Sequence, residues 1–260
     1  MIGLGIGVAW KNNNISSGGS GFDTDYQAVL DYATTNGYTL PSDEQKLLQN
    51  QLLIDLKSAG VWNKLDTFAN FATDGSTQFA LIDWKRLVQY NASTGPTFTT
   101  NKGFTGNGTS SYIDTNFNAF THGVNYQQNN ASRYTFMDTA SGTSALDGKA
   151  VAGINNMSRT STSFHRINTA SGLSTSFDFN ATRGMKSIHR TSSTNVELFN
   201  DTTQASRTAT SATINDNNQL ILRSGVAYGG HTISMYANGA SLVAENTAFV
   251  NAFNTYLNSL

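Results

Sequence analysis

The sequence predicts a mainly β protein: a β-sandwich over residues 97–260, a small helical unit over 22–96, and an extended arm with its linker over 1–21. Three observations lead there. Charged residues make up only 13% of the chain, about half the share of an average globular domain. Asn, Ser and Thr together supply roughly a third of the 260 residues, a surface that suits turns and strands better than solvent-facing helices. From Phe98 onward, short apolar segments recur about every 8–12 residues with polar turn signals between them, the spacing of a sandwich or jelly roll.

The arm opens the chain. In "MIGLGIGVAW", Ile2, Leu4, Ile6, Val8 and Trp10 fall on one face while Gly3, Gly5, Gly7 and Ala9 fall on the other. Period two is a strand pattern, and a glycine face lets another backbone approach closely. "KNNNISSGGSGF" follows as a flexible tether. Two readings are open: a first strand folded onto its own domain, or an arm that docks on a neighbouring subunit by β-augmentation. The second makes Ile2, Leu4, Ile6, Val8 and Trp10 partner-binding residues. The decapeptide has no basic n-region and no small-residue cleavage site, so a retained N-terminus is expected. No stretch approaches the ~18–20 apolar residues that span a bilayer.

The helical unit rests on period and caps. "TDYQAVLDYATTNG" lines up Tyr26, Val29, Leu30 and Ala33, with capping-box spacing at Thr24 and Gln27 and a stop at Asn36–Gly37. "SDEQKLLQNQLLIDLKSAG" repeats the scheme with Ser42 and Gln45 as its box, then Leu48, Leu52, Leu56 and Ala59. "VWNKLDTFANFATDG" places Trp62, Leu65, Phe68, Ala69 and Phe71 at the spacing of a shorter third helix, and "FALIDWK" reads as a buried strand or bridging segment. Candidate sandwich strands are "SYIDTNF", "RYTFMD", "KAVAGI", "TSFHRI", "TSFDFN", "MKSIHRT", "NVELFN", "QLILRS" and "TISMYAN". In "ENTAFVNAFNTYLNSL", Phe249, Phe253, Tyr256, Leu257 and Leu260 predict an amphipathic helix lying on the sandwich.

Little in the chain points to chemistry. It has no cysteine, which excludes disulfides, thiolate metal sites and a cysteine nucleophile. A net charge of −1 offers no footprint for nucleic acid or an anionic membrane. His122, His165, His189 and His231 are dispersed, without metal-ligand spacing. Asp23 and Asp25 in "FDTDY" and Asp216 in "INDNNQ" lack the spacing of a calcium loop and read as a helix cap and a turn. No metal and no cofactor are expected. There is no G-x-S-x-G elbow, and "GLGIG" lacks the third glycine and following helix of a dinucleotide fingerprint. A retaining glycosidase needs two carboxyl groups about 5–5.5 Å apart. Of the glutamates, Glu44 and Glu245 belong to helical segments, and Glu197 stands alone on the expected solvent side of its strand. The expectation is a protein that is not an enzyme.

Three segments carry a family resemblance. "GFTGNGTSSYIDTNFN" resembles the first strand of the concanavalin A-like, laminin G-like jelly rolls of tailed-phage virion proteins. "MKSIHRTSSTNVELFNDTTQASRTATS" resembles their mid-domain hairpin. "NNQLILRSG" with "HTISMYANGASLVAENTAFVNAFNTYLNSL" resembles their closing strands, small-residue corner and final helix. One departure is that "SLVAEN" puts Val243 or Ala244 where that helix usually has a Ser or Thr cap, a loss of about 1 kcal/mol.

The resemblance implies a concanavalin A-like jelly roll in a bacteriophage structural protein: a head fibre or decoration protein, or a tail or baseplate component. It would assemble in the host cytoplasm with other virion proteins, as a homo-oligomer (a trimer, by analogy) anchored by the arm. The alternative is a carbohydrate-binding module contacting host or mucosal glycans. For that role Tyr112, Tyr126, Tyr134 and Tyr228 are candidate stacking surfaces, although buried packing would claim most of them.

Overall fold

The computed structural model describes residues 21–142, 145–150, 157–158, 165–169, 177, 179 and 182–260. The arm residues Ile2, Leu4, Ile6, Val8 and Trp10 lie outside the described residues, as does most of "TSFHRI" and "TSFDFN".

Helices α1 (Thr24–Thr35) and α2 (Asp43–Ser58) form where their periodicity places them. Ser42 caps α2 by accepting from the Gln45 amide at 3.3 Å. The cap of α1 sits one residue before the expected box: the Asp23 carboxylate accepts from the Asp25 amide at 3.0 Å. A carboxylate there satisfies an orphan donor and complements the helix dipole.

The expected third helix is a strand. After a 3₁₀ turn at Trp62–Lys64, residues Leu65–Asn70 form β1. All six are buried. Leu65 and Phe68 belong to the core beneath the helices, and Ala69 belongs to the core between the sheets. A strand covered on both faces loses the period-two signature. The apolar positions of β1 then coincide with helical spacing.

Beyond β1 the chain runs through α3 (Thr77–Ala80), β2 (Ile82–Asp83), β3 (Val88–Gln89), β4 (Asn91–Ser93), β5 (Thr97–Thr99), β6 (Gly103–Thr105), β7 (Tyr112–Asp114) and α4 (Ala119–His122). It continues through β8 (Ala131–Thr139), β9 (Ala145–Lys149), β10 (Met157–Ser158), β11 (Gly184–Arg190), β12 (Asn195–Asn200) and β13 (Thr203–Thr208). It ends with β14 (Gln219–Ile221), β15 (Arg223–Ser224), β16 (Ala227–Tyr228), β17 (Thr232–Gly239) and α5 (Asn246–Leu257). "FALIDWK" is therefore a helical turn and a two-residue strand. Of "KAVAGI", β9 includes Lys149, and residues 151–154 lie outside the described residues.

The strands build two main antiparallel sheets. The large one has the order β13-β12-β11-β8-β17-β6-β5, with β1 also paired to β17. The small one has the order β10-β9-β14-β7-β4, and β15 and β16 form a separate hairpin. "GFTGNGTSSYIDTNFN" crosses between layers, since β6 belongs to the large sheet and β7 to the small one.

One core lies between the sheets and includes Phe104, Ile113, Leu146, Ile188, Leu198 and Ile233. A second lies on the other face of the large sheet, where Tyr134, Phe136 and Met235 meet α1, α2 and α5. On α5, Phe249 sits 4.7 Å from the Tyr134 ring and Phe253 sits 5.1 Å from the Phe136 ring, centroid to centroid. Each such aromatic contributes about 1.5–3 kcal/mol by leaving water. Glu245 is the N-cap of α5, and its side chain makes no capping bond. The molecule is thus a mainly β sandwich with helices packed on the outer face of its large sheet. Among the described residues no helix is long and apolar enough to cross a membrane.

Candidate functional site

The central strands of the large sheet are covered on both faces, and the outer face of the small sheet presents side chains. Regular alternation on β7 turns Ile113 into the core and leaves Tyr112 and Asp114 half-buried outside. On β14, Leu220 joins Tyr112 and Asp114 in lining a cleft of about 360 Å³. The next two residues, Ile221 and Leu222, are both fully buried in the sandwich core. Leu222 achieves this with φ 65°, a left-handed conformation rare for a side chain branched like leucine's. The kink restarts the alternation, so Arg223 emerges on the cleft side. Irregularities of this kind re-aim side chains at sheet margins.

The β15–β16 hairpin then folds down over β9. Gly148 lies beneath it: a Cβ there would sit 2.5 Å from the Ser224 Cβ and 2.8 Å from the Arg223 carbonyl oxygen. Only a glycine permits that approach. The hairpin brings Tyr228 to 6.3 Å from Tyr112, ring centroid to centroid. The Arg223 guanidinium lies 4.7 Å from the Tyr112 ring and 5.2 Å from the Tyr228 ring. Its Nε donates to the Gly225 carbonyl at 3.0 Å.

Loop 215–218 supplies the opposite wall. Lys149 pins it, donating from Nζ to the Asn215 and Asn217 carbonyls at 2.7 and 2.8 Å. Burial pushes the Lys149 ammonium down to about 8, with the positive charge of Arg133 adding to the effect. Two carboxylates face the cleft, and an asparagine holds each. Asn218 Nδ2 donates to Asp114 Oδ1 at 3.0 Å, and Asn118 Nδ2 donates to Asp216 Oδ1 at 2.6 Å. The cleft and the hairpin beside it therefore offer two aromatic rings, amide donors, carboxylate acceptors and one guanidinium. That set suits a polyhydroxylated ligand, whose C–H faces pack on rings while its hydroxyls pair with polar groups.

Of the tyrosines proposed as stacking surfaces, Tyr112 lines the cleft and Tyr228 stands beside it on the hairpin, while Tyr126 and Tyr134 are buried. Tyr126 donates to Asn168 Oδ1 at 3.0 Å and Tyr134 to Asn246 Oδ1 at 3.2 Å. Asp216, read as a turn residue, stands at the cleft's edge. Asp114, Asn118, Asn218 and Arg223 were not singled out. The one sequence signal for them is the amide-rich "INDNNQ" beside "RSGVAYGG".

Other polar groups are structural. Glu197 is buried rather than solvent-facing, and accepts from Asn195 Nδ2 at 2.7 Å and Gln204 Nε2 at 3.0 Å. Ser187 and His189 resemble a nucleophile and base, since Oγ and Nε2 are 3.0 Å apart. However, His189 Nδ1 accepts from the Leu242 amide at 3.2 Å. Nε2 therefore carries the proton and donates to Ser187, the wrong tautomer for a base. Burial holds the imidazole neutral, with its pKa pushed down to about 3.

Between the sheets Arg133 Nη1 meets Asp147 Oδ1 at 3.1 Å, both fully buried. Burial raises the Asp147 carboxyl to about 6, against the opposing pull of Arg133. Asp23, besides capping α1, binds Lys57 at 2.6 Å, and Asp25 in the first turn binds it at 2.8 Å. Among the described residues no group of three or more His, Asp or Glu side chains gathers as a metal site would require.

No family model matches the chain, and no curated protein matches it. Its likenesses are to solved structures. A mutant of Trypanosoma rangeli sialidase displaying trans-sialidase activity aligns with a TM-score of 0.47 and 12% identity, over 81% of this chain and 39% of that one. Domain 4 of AbnA, a GH43 extracellular arabinanase from Geobacillus stearothermophilus, in complex with arabinotriose, aligns at 0.44 and 12%, over 72% of this chain and 98% of that domain. A tryptophan-to-alanine mutant of HCR/D aligns at 0.53 and 8%, over 74% of this chain and 53% of that one. The chain spans 39% of the sialidase's length and 53% of HCR/D's. At such identity the likeness is one of fold: a mainly β, lectin-like sandwich.

Proposed function

We propose that this protein is a lectin-like carbohydrate-binding module that seats a glycan in the cleft on the outer face of the small sheet. The observation that carries the reading is the pairing of Tyr112 and Tyr228 6.3 Å apart around a shared arginine, in a cleft otherwise rimmed by amides and carboxylates. In this reading each carboxylate, oriented by an asparagine amide, serves as a hydroxyl acceptor.

A glycan array probed with the full chain tests this. The full chain is required because β1 pairs with β17 and α1 and α2 help cover the large sheet, so residues 97–260 alone would lose β1 and those two helices. Binding should fall at least about tenfold in Tyr228→Ala and in Tyr112→Ala, the loss of one ring contact worth roughly 1.4 kcal/mol. Unfolding curves should stay unchanged. Retained binding in both variants would remove the cleft from the function.

A second reading concerns setting, and the sequence resemblance to phage jelly rolls carries it. The module would be a displayed subunit of a virion, joined to other virion proteins through Ile2, Leu4, Ile6, Val8 and Trp10. Deleting residues 1–20 should abolish incorporation into particles while leaving glycan binding intact. A truncated chain that still incorporates would take the arm out of assembly.

A further inference from the structure

We infer that the cleft selects acidic sugars, with Arg223 receiving the ligand's carboxylate; this rests on the carbohydrate-binding reading and specifies its ligand class. Three features of Arg223 lead there. Its Nε is committed to the Gly225 carbonyl and its plane is held near two tyrosine rings, so the guanidinium is fixed in direction. Its two terminal nitrogens have no protein acceptor among the described residues, and no carboxylate there comes within ion-pair distance of it. The strained backbone of Leu222 is what delivers it to the cleft.

The charges in the cleft are kept apart rather than neutralised. Asp114 and Asp216 share the cleft with Arg223, yet each is engaged by an asparagine amide rather than by the arginine. A fixed guanidinium fork matches a planar carboxylate with two parallel hydrogen bonds. A neutral sugar would leave that fork unused. A sugar acid satisfies both halves at once, its carboxylate at Arg223 and its hydroxyls donating to Asp114 and Asp216. Tyr112 and Tyr228 supply contact area to neutral and acidic sugars alike.

The test is an array of paired glycans, each sugar acid beside its carboxyl-reduced neutral counterpart, with sulfated glycans as a third arm. Wild-type protein should favour the acid over its reduced partner by about tenfold or more, the worth of a charge-assisted bidentate pair. Arg223→Gln should bring that ratio close to one, whatever level of binding remains. Arg223→Lys, which retains the charge without the fork, should restore only part of it.

Equal binding of acid and neutral partners by the wild type would overturn the inference and leave the carbohydrate reading standing. A preference that survives Arg223→Gln would also overturn it, as would sulfated glycans binding as well as carboxylated ones. Binding of none of the three arms would remove the inference and the carbohydrate reading together.

Discussion

Gly148 on β9 and Ser224 on β15 occupy the space of a single side chain: a Cβ on the first would lie 2.5 Å from the Cβ of the second. This contact presses the hairpin onto the small sheet and so holds Arg223 and Tyr228 over the cleft. Gly148→Val should lift the hairpin, lowering glycan affinity by about tenfold or more, while circular dichroism shows the sandwich intact. A variant that binds like wild type would mean that the hairpin's seating is irrelevant to the site.

Lys149 is the second support. It spans from the sheet to the carbonyls of Asn215 and Asn217. Lys149→Met keeps the stem and deletes both bonds, which should cost about 1–3 kcal/mol in urea unfolding. Glycan affinity should fall too, because the wall carrying Asp216 and Asn218 is no longer fastened.

The Arg133–Asp147 pair between the sheets should show the asymmetry of buried charges. Arg133→Met alone leaves an uncompensated carboxylate and should destabilise the protein by about 3–5 kcal/mol. Combining it with Asp147→Leu should recover most of that loss. Denaturant midpoints of the two variants provide the check, and equal midpoints would show that the carboxylate tolerates isolation.

His189 and Asp147 respond to acid in opposite senses. The His189 pKa is pushed below its ordinary 6.5 to about 3, so its contribution to stability is full above the ordinary value and drains away as pH falls. Asp147, raised from 3.8 to about 6, contributes most at low pH and loses that contribution as pH rises toward its folded value. Wild-type stability mixes the two. The difference between wild type and His189→Gln isolates the imidazole and should shrink by about 2 kcal/mol between neutrality and pH of about 5. A difference independent of pH would mean that the ring titrates normally.

Legibility in the sequence followed coverage. Helices α1 and α2 each keep a polar face and showed their stripe. In α5, Phe249, Phe253, Tyr256 and Leu257 marked the buried face before any coordinates. Strands β8, β11, β12 and β17 were found by composition and turn spacing. β1 was misread because helices cover one side of it and the small sheet covers the other, which erases alternation.

The cleft was half legible. Tyr112 and Tyr228 stood out as aromatics among polar neighbours. Arg223 did not, because in "QLILRS" regular alternation would place it inward beside Ile221. Only the backbone kink at Leu222, which no residue type announces, sends it out. Asp114 and Asn118 come together with Asp216 and Asn218 through pairing of β7 with β14, a long-range event that spacing does not encode.

The helical roof over the large sheet has an engineering consequence. The structural cores are sealed beneath it and between the sheets, whereas the proposed recognition elements are a short hairpin and a short loop on the small sheet's outside. Those two insertions could be exchanged or diversified as a library with little effect on the interior, provided the glycine under the hairpin and the lysine tethering the loop are kept. The scaffold separates what must stay constant from what can be rewritten.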